Sequence, residues 1–256
     1  MPQSSSVSSD IPTLSEQGGI RYLHFGTEWI QGAMDVRRPS ELVLSYTRQM
    51  MAWLLFLQPD RDSRLGILGL GAGSLLRFAL RHTEGSAVTV EWNADVVAIC
   101  RAYFRLPESV RSTIDICDAA AWLKRPANLG QYLALMVDLY DGEAQGPVHG
   151  SLEFYADCRR ALADAGVMAV NLFGNHPSYV RNLANIRRAF DGRVLVLPEV
   201  DEGNVVVLAL KGPLLEVSVS RFLERAARVE SRSGLPARRW ARALLSHRAD
   251  VRTFRA

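Results

Sequence analysis

Residues 65–82, "LGILGLGAGSLLRFALRH", constrain the fold more than any other stretch of the chain. An apolar run ends in glycines at alternate positions, Gly69, Gly71 and Gly73, and an amphipathic segment follows. Glycine allows the tight turn and lets backbone approach a ligand closely. A strand, a glycine turn and a helix in that order form the usual nucleotide cradle of α/β proteins. The spacing is G-x-G-x-G, which many loops match, so its meaning depends on context.

The context is a repeating alternation. Strands are expected at "LGILGL", "AVTVEW", "STIDIC", "YLALMVDLY", "GVMAVNLF", "RVLVLPEV" and "NVVVLALKG", with helices between them at 74–82, 94–104, 119–125, 151–164 and 178–190. These strands show little polar alternation, as when helices cover both faces of a sheet. Alternating strands and helices imply a doubly wound, mostly parallel α/β sheet. The last two strands are joined only by "DEG", which is too short for a crossover and requires an antiparallel hairpin. A parallel sheet ending in an antiparallel strand points to the methyltransferase-like variant of the Rossmann-like folds.

Ahead of this unit, residues 20–34 are expected to form short strands with a turn, and 40–57 a helix opened by a Ser40 cap. The polar start is expected to be a disordered leader over 1–17. An N-terminal β region with its linking helix then occupies 18–58, the α/β domain 59–212, and a basic helical tail 213–256. From Arg221 onward the chain has ten arginines against three acids, a net of +7, while the whole chain is +3. Phe222, Leu223, Ala226 and Val229, then Trp240, Leu244 and Leu245, recur at helical spacing. The tail is therefore expected to pack on the body with its arginines in solvent, without binding nucleic acid.

Composition narrows the remaining classes. At 48% hydrophobic and 22% charged, 256 residues suffice for one substantial core. No apolar run is long enough to span a bilayer, and the first residues lack the features of a secretory signal. A cytoplasmic protein with no membrane partner is expected. Cys100, Cys117 and Cys158 are odd in number and widely spaced, giving neither a disulfide framework nor a metal site.

Four acids follow four successive strands. Glu91 lies 18 residues beyond Gly73, where an acid accepts hydrogen bonds from ribose hydroxyls. Asp118, in "ICDAAAWL", can reach an adenine amino group or cap the next helix. Asp138, in "MVDLYDGE", leaves an apolar strand at the carboxyl edge of the sheet, where such folds bind ligands. Asp141 follows three residues later, as a ligand or as a turn residue before Gly142. His149 and His176 fall outside these windows and are expected to be loop residues.

With "LHFGTEWIQGAM", "YTRQMM", "GLGAGS", "VEWNADVV", "CDAAAWL", "VDLYD" and "EFYADCRRALADAGVMAVNLF", the sequence resembles the spermidine synthase family of polyamine aminopropyltransferases from about Tyr22 to Leu210. The resemblance implies a small N-terminal β domain on a seven-stranded methyltransferase-type sheet, and a homodimer. It implies Gln31, Glu91 and Asp118 beside the nucleoside, Asp138 as acid-base residue and Asp141 as a ligand of the substrate amine. It implies decarboxylated S-adenosylmethionine as co-substrate, a small amine as acceptor and no prosthetic group. Three positions depart from the family pattern. Ala72 stands where the glycine loop usually carries an aspartate, Gln49 where a helix glutamate is usual, and Leu139-Tyr140 replace small residues between Asp138 and Asp141.

Aminopropyl transfer is a displacement at the carbon beside a sulfonium. The attacking amine must be neutral, yet free amines near pH 7 are mostly protonated. A carboxylate in a water-poor crevice both holds the ammonium and takes its proton, the role expected for Asp138. An S-adenosylmethionine-dependent methyltransferase and a nucleoside-binding protein with little catalysis are the alternatives. Ala72 favours the first of these, because losing a carboxylate there suits the amino-acid carboxylate of S-adenosylmethionine.

Overall fold

The computed structural model describes residues 11–26, 29–140, 148–201, 203–246 and 253–255. Strands β1 (Thr13–Gln17), β2 (Ile20–His24) and β3 (Gly32–Asp35) form an antiparallel sheet. The leader expected through residue 17 is thus corrected, since Thr13 to Gln17 pair with Ile20 to His24 across the Gly18–Gly19 turn. Both glycines have positive φ, which that turn requires. Residues 1–10 lie outside the described residues.

The linking helix is shorter than expected. Helix α1 is Ser45–Met50, continued as a 3-10 turn over Met51–Leu55. Ser40 does not cap it. Leu44 precedes it without a side-chain cap, and the Tyr46 N–H instead donates to Asp201 at 2.7 Å. The cap comes from a residue far along the chain, so local sequence carries no sign of it.

The main sheet then alternates β4 (Arg64–Leu68), α2 (Ser74–His82), β5 (Ser86–Glu91), α3 (Ala94–Tyr103), β6 (Ser112–Ile116), α4 (Ala119–Leu123), β7 (Tyr132–Val137), α5 (Leu152–Ala161), β8 (Leu162–Phe173), α6 (Tyr179–Ala189), β9 (Val194–Val196) and β10 (Asn204–Lys211). Its order is β6-β5-β4-β7-β8-β10-β9. Neighbours are parallel except β10, which runs antiparallel to both β8 and β9. The inference from the three-residue "DEG" link is therefore met, and the order reverses direction between β4 and β7. There the strand ends diverge and leave a crevice.

Apolar residues fill both faces of the sheet. Leu65, Ile67, Ala134, Met136, Val206 and Leu208 point into one cluster, and Leu68, Val90, Leu135, Val137, Val170 and Val207 into the other. The helix expected over 151–164 ends at Ala161, and the chain enters β8 directly. Beyond the sheet lie β11 (Glu216–Ser218), α7 (Val219–Ser233), α8 (Ala237–Ser246) and β12 (Thr253–Arg255), the last pairing with β11. The tail packs as its spacing predicts: Phe222, Ala226, Trp240, Ala241 and Leu244 are buried. Phe222 stacks on Phe254 at 4.2 Å between centroids, and both contact Phe56. The β11–β12 pair was not legible in the sequence.

Candidate active site

The glycine turn is fixed by close approach. Gly69 has φ +94°, and a Cβ there would lie 2.1 Å from the Asp138 carbonyl oxygen. No other residue fits, so the turn after β4 sits directly against the exit of β7. Gly71, with φ +48°, abuts the Gln31 carbonyl. Gly73 starts α2 and faces Leu106 and Arg77, away from the crevice. Arg77 is buried beneath the turn and donates to the carbonyls of Ala72, Pro39 and Phe104.

A cavity of about 630 Å³ opens at this edge. Its walls include Gln31, Gly69, Gly71, Glu91 and Asp138 of the expected residues, brought together from four segments. The walls also include Phe25, Trp29, Ile30 and Trp92, and the polar Tyr46, Tyr140, Asn171, Asp201 and Asn204. The described lining residues include three carboxylates and no lysine or arginine.

Glu91 is buried at the end of β5. Its two oxygens accept the backbone N–H groups of Leu70 and Asn93, each at 3.0 Å. Burial pushes its carboxyl up, while those amides favour the charged form. The carboxylate is thereby locked beside the glycine turn with its remaining lone pairs available to a hydroxyl donor.

Asp138 is half-buried, and protein atoms surround its carboxylate. Burial pushes its pKa up to about 6, against hydrogen bonds from Asn171 and Tyr46 that favour the charged form. Asn171 donates through Nδ2 to Asp138 Oδ1 at 3.1 Å and to Asn204 Oδ1 at 2.9 Å. Its own Oδ1 is buried with no hydrogen-bond partner among the described residues. The Tyr46 hydroxyl meets Asp138, and burial followed by that charge holds the phenol well above its ordinary range. Tyr140 donates to the Asn171 carbonyl at 3.0 Å, and burial raises its phenol as well. At neutral pH the site therefore holds one ionised, poorly solvated carboxylate oriented by an amide and a phenol. Such a group binds cations and accepts a proton.

Of the expected residues that are described, Gly73 and Asp118 are not among the cavity walls. Asp118 caps α4 through a 2.8 Å bond from the Ala121 N–H and is not among the cavity walls. Its other oxygen meets His149 Nε2 at 2.9 Å, and the His149 ring stacks on Phe154. His149 is a loop residue, as expected, and pairs with one of the four strand-end acids. Asp141 lies outside the described residues. Ala72 is buried against Gly32, where a Cβ would lie 2.7 Å from the alanine methyl. Strand β3 therefore packs directly over Ala72.

Tyr46, Asn171, Asp201 and Asn204 are lining residues that the sequence did not single out for the site. Asn171 had a signal: it is the one amide in the apolar run "GVMAVNLF". Tyr46 opens the "YTRQMM" stretch, and its phenol reaches Asp138. Asp201 sits in the turn before β10 and Asn204 is the first residue of that strand, where polar residues are ordinary.

Known proteins resemble this chain in sequence and in fold. Residues 44–192 match the spermine/spermidine synthase domain. The polyamine aminopropyltransferase of Neisseria meningitidis serogroup A is 35% identical over 226 residues, covering 87% of this chain and 84% of that protein. A probable spermidine synthase from Corynebacterium glutamicum superposes with a TM-score of 0.68 at 18% identity, over 91% of each chain. Human methyltransferase-like protein 13, in complex with SAH, superposes at 0.64 with 20% identity, over 75% of this chain and 93% of that one. The last two share the fold; the first two findings settle descent, and the chain belongs to the spermine/spermidine synthase family.

Proposed function

We propose that the protein transfers an aminopropyl group from decarboxylated S-adenosylmethionine to a small amine, with Asp138 as base. The observation that carries this is the cavity lined by three carboxylates, Asp138 among them, and no described lysine or arginine. A cationic sulfonium donor and an ammonium acceptor both suit such a lining.

In this reading the nucleoside lies against Gly69 and Gly71, with Glu91 on the ribose hydroxyls, Gln31 beside it, and Trp29, Ile30 and Trp92 along its apolar faces. Asp118 would share a carboxylate already engaged by Ala121 and His149. The amine binds Asp138 as an ammonium. It loses one proton to the carboxylate, and its nitrogen lone pair attacks the carbon beside sulfur. The new C–N bond forms as the C–S bond breaks, and methylthioadenosine leaves with the electron pair on neutral sulfur. Holding amine and sulfonium in line supplies much of the rate. Asn171 and Tyr46 keep Asp138 aimed at the amine, and Asp141 is a further amine ligand.

A second reading is favoured by one observation. Ala72 removes the charge that would grip an aminopropyl ammonium, and S-adenosylmethionine carries a carboxylate there. Thermal unfolding with S-adenosylmethionine, its decarboxylated form or methylthioadenosine separates the two, because the preferred ligand raises apparent stability most. Greater stabilisation by the decarboxylated form supports aminopropyl transfer. Greater stabilisation by S-adenosylmethionine supports methyl transfer.

A further inference from the structure

We infer that a second cavity, lined by none of the residues of the first, binds a small phosphorylated anion through Arg48 and Arg81. Binding there is independent of which group the protein transfers. The cavity measures about 510 Å³, a size that takes a small molecule. Its walls come from the link between β3 and α1, from α1 and α2, and from the turn between α7 and α8. It shares elements with the catalytic cavity: α1 carries Tyr46 to the first and Arg48 to the second, and α2 runs from the glycine turn to Arg81 and His82. The two cavities differ in charge. The first has three carboxylates and no described lysine or arginine, whereas the second has Arg38, Arg48 and Arg81 against Glu41.

Only part of that positive charge is matched. Arg38 pairs with Glu41 at 2.9 Å and with Asp35 at 3.3 Å. Arg48 is bound through Nε, which donates to the Leu42 carbonyl at 2.7 Å, and forms no ion pair among the described residues. Arg81 makes no hydrogen bond or ion pair among the described residues. Its place in the last turn of α2 would suit a cation that offsets the helix-end carbonyls. Arg111 already serves there, donating to the carbonyls of Leu80, Thr83 and Gly85 at 2.7, 2.9 and 3.0 Å. Two guanidinium groups from two helices therefore line one concave space with no acid paired to either. Guanidinium forks match phosphate oxygens two at a time, and a concave wall of one sign concentrates ions of the other. His82 completes the wall. Its ring stacks on Phe78 with centroids 4.3 Å apart and is hydrogen-bonded to the Arg232 backbone. Burial lowers its pKa, which leaves a neutral ring near pH 7. Phosphate oxygens suit the two arginines, and the fixed His82 ring suits an apolar or planar remainder of the same ligand.

Inorganic pyrophosphate is the probe. Its binding to the full chain is measured by calorimetry at constant ionic strength, for the wild type and for Arg48→Gln and Arg81→Gln. Both arginines are exposed, so both variants should keep the wild-type melting temperature. Loss of one charge-assisted contact corresponds to roughly a tenfold weakening. One saturable site is expected in the wild type, weakened by about that factor in each variant. Arg221→Gln and Arg228→Gln alter two exposed arginines of α7 that do not line the cavity. They should leave the affinity within about twofold. Absence of saturable binding, unchanged affinity in Arg48→Gln or Arg81→Gln, or an equal loss in the α7 variants would overturn the inference. A single-stranded oligonucleotide is measured in parallel. Tighter binding than that of pyrophosphate, lost in the α7 variants, would also overturn it and make the basic tail the anion site.

Discussion

Replacing Asp138 by Asn removes a charge that burial makes costly. The carboxyl is raised from 3.8 to about 6, so the native state binds its proton more tightly than the unfolded chain does. At ~1.4 kcal/mol per pH unit this rise corresponds to about 3 kcal/mol, and solvent in the open cavity reduces it to about 2–3 kcal/mol. The sign follows from linkage. A raised carboxyl costs nothing below the unfolded value; its cost grows from about pH 4 to about pH 6 and is constant above. Asparagine keeps the local contacts, because Oδ1 accepts from Asn171 and Nδ2 can donate to the Tyr46 oxygen. Asp138→Asn should therefore stabilise the ligand-free protein by about 2–3 kcal/mol at pH 8 and by almost nothing at pH 4. Urea denaturation at the two pH values reads this directly. The same variant should lose about 10²–10⁴ in transfer rate if Asp138 is the base. A variant less stable at pH 8, or equally shifted at both pH values, would refute the claim that Asp138 is a strained carboxylate.

Two further outcomes follow from other parts of the molecule. Glu91→Ala should weaken methylthioadenosine binding by roughly 1.5–3 kcal/mol through lost charge-assisted hydrogen bonds, and unchanged affinity in calorimetry would remove Glu91 from the nucleoside site. Phe222→Ala should destabilise the fold by about 3–5 kcal/mol, since Phe222 is fully buried between Phe56 and Phe254. A loss below about 1 kcal/mol in urea titration would mean that the basic tail contributes little to the core.

The sheet was legible because its determinants are local and periodic. Apolar strands, helical spacing and the short "DEG" link specify the alternation and the antiparallel β10 without any long-range information. Gly69, Gly71, Glu91 and Asp138 were legible for the same reason: each falls at a strand end, and the topology brings strand ends together. The illegible parts depend on contacts between distant segments. Asp201 caps α1 and displaces the start expected at Ser40. His149 finds Asp118 across a connection that sequence spacing does not reveal. Thr13 to Gln17 are exposed, with Leu14 the one apolar residue, and read as leader, yet they pair with β2 as an edge strand. Gly32 looks like an ordinary strand residue, yet it lies so close to Ala72 that a Cβ there would be 2.7 Å from the alanine methyl.

Product identification tests the central claim most directly. The wild-type protein is incubated with decarboxylated S-adenosylmethionine and putrescine, and in parallel with S-adenosylmethionine and putrescine, and both mixtures are read by mass spectrometry. Aminopropyl transfer predicts spermidine and equimolar methylthioadenosine in the first mixture and no methylated amine in the second. S-adenosylhomocysteine with a methylated amine in the second mixture, and no methylthioadenosine in the first, would contradict it.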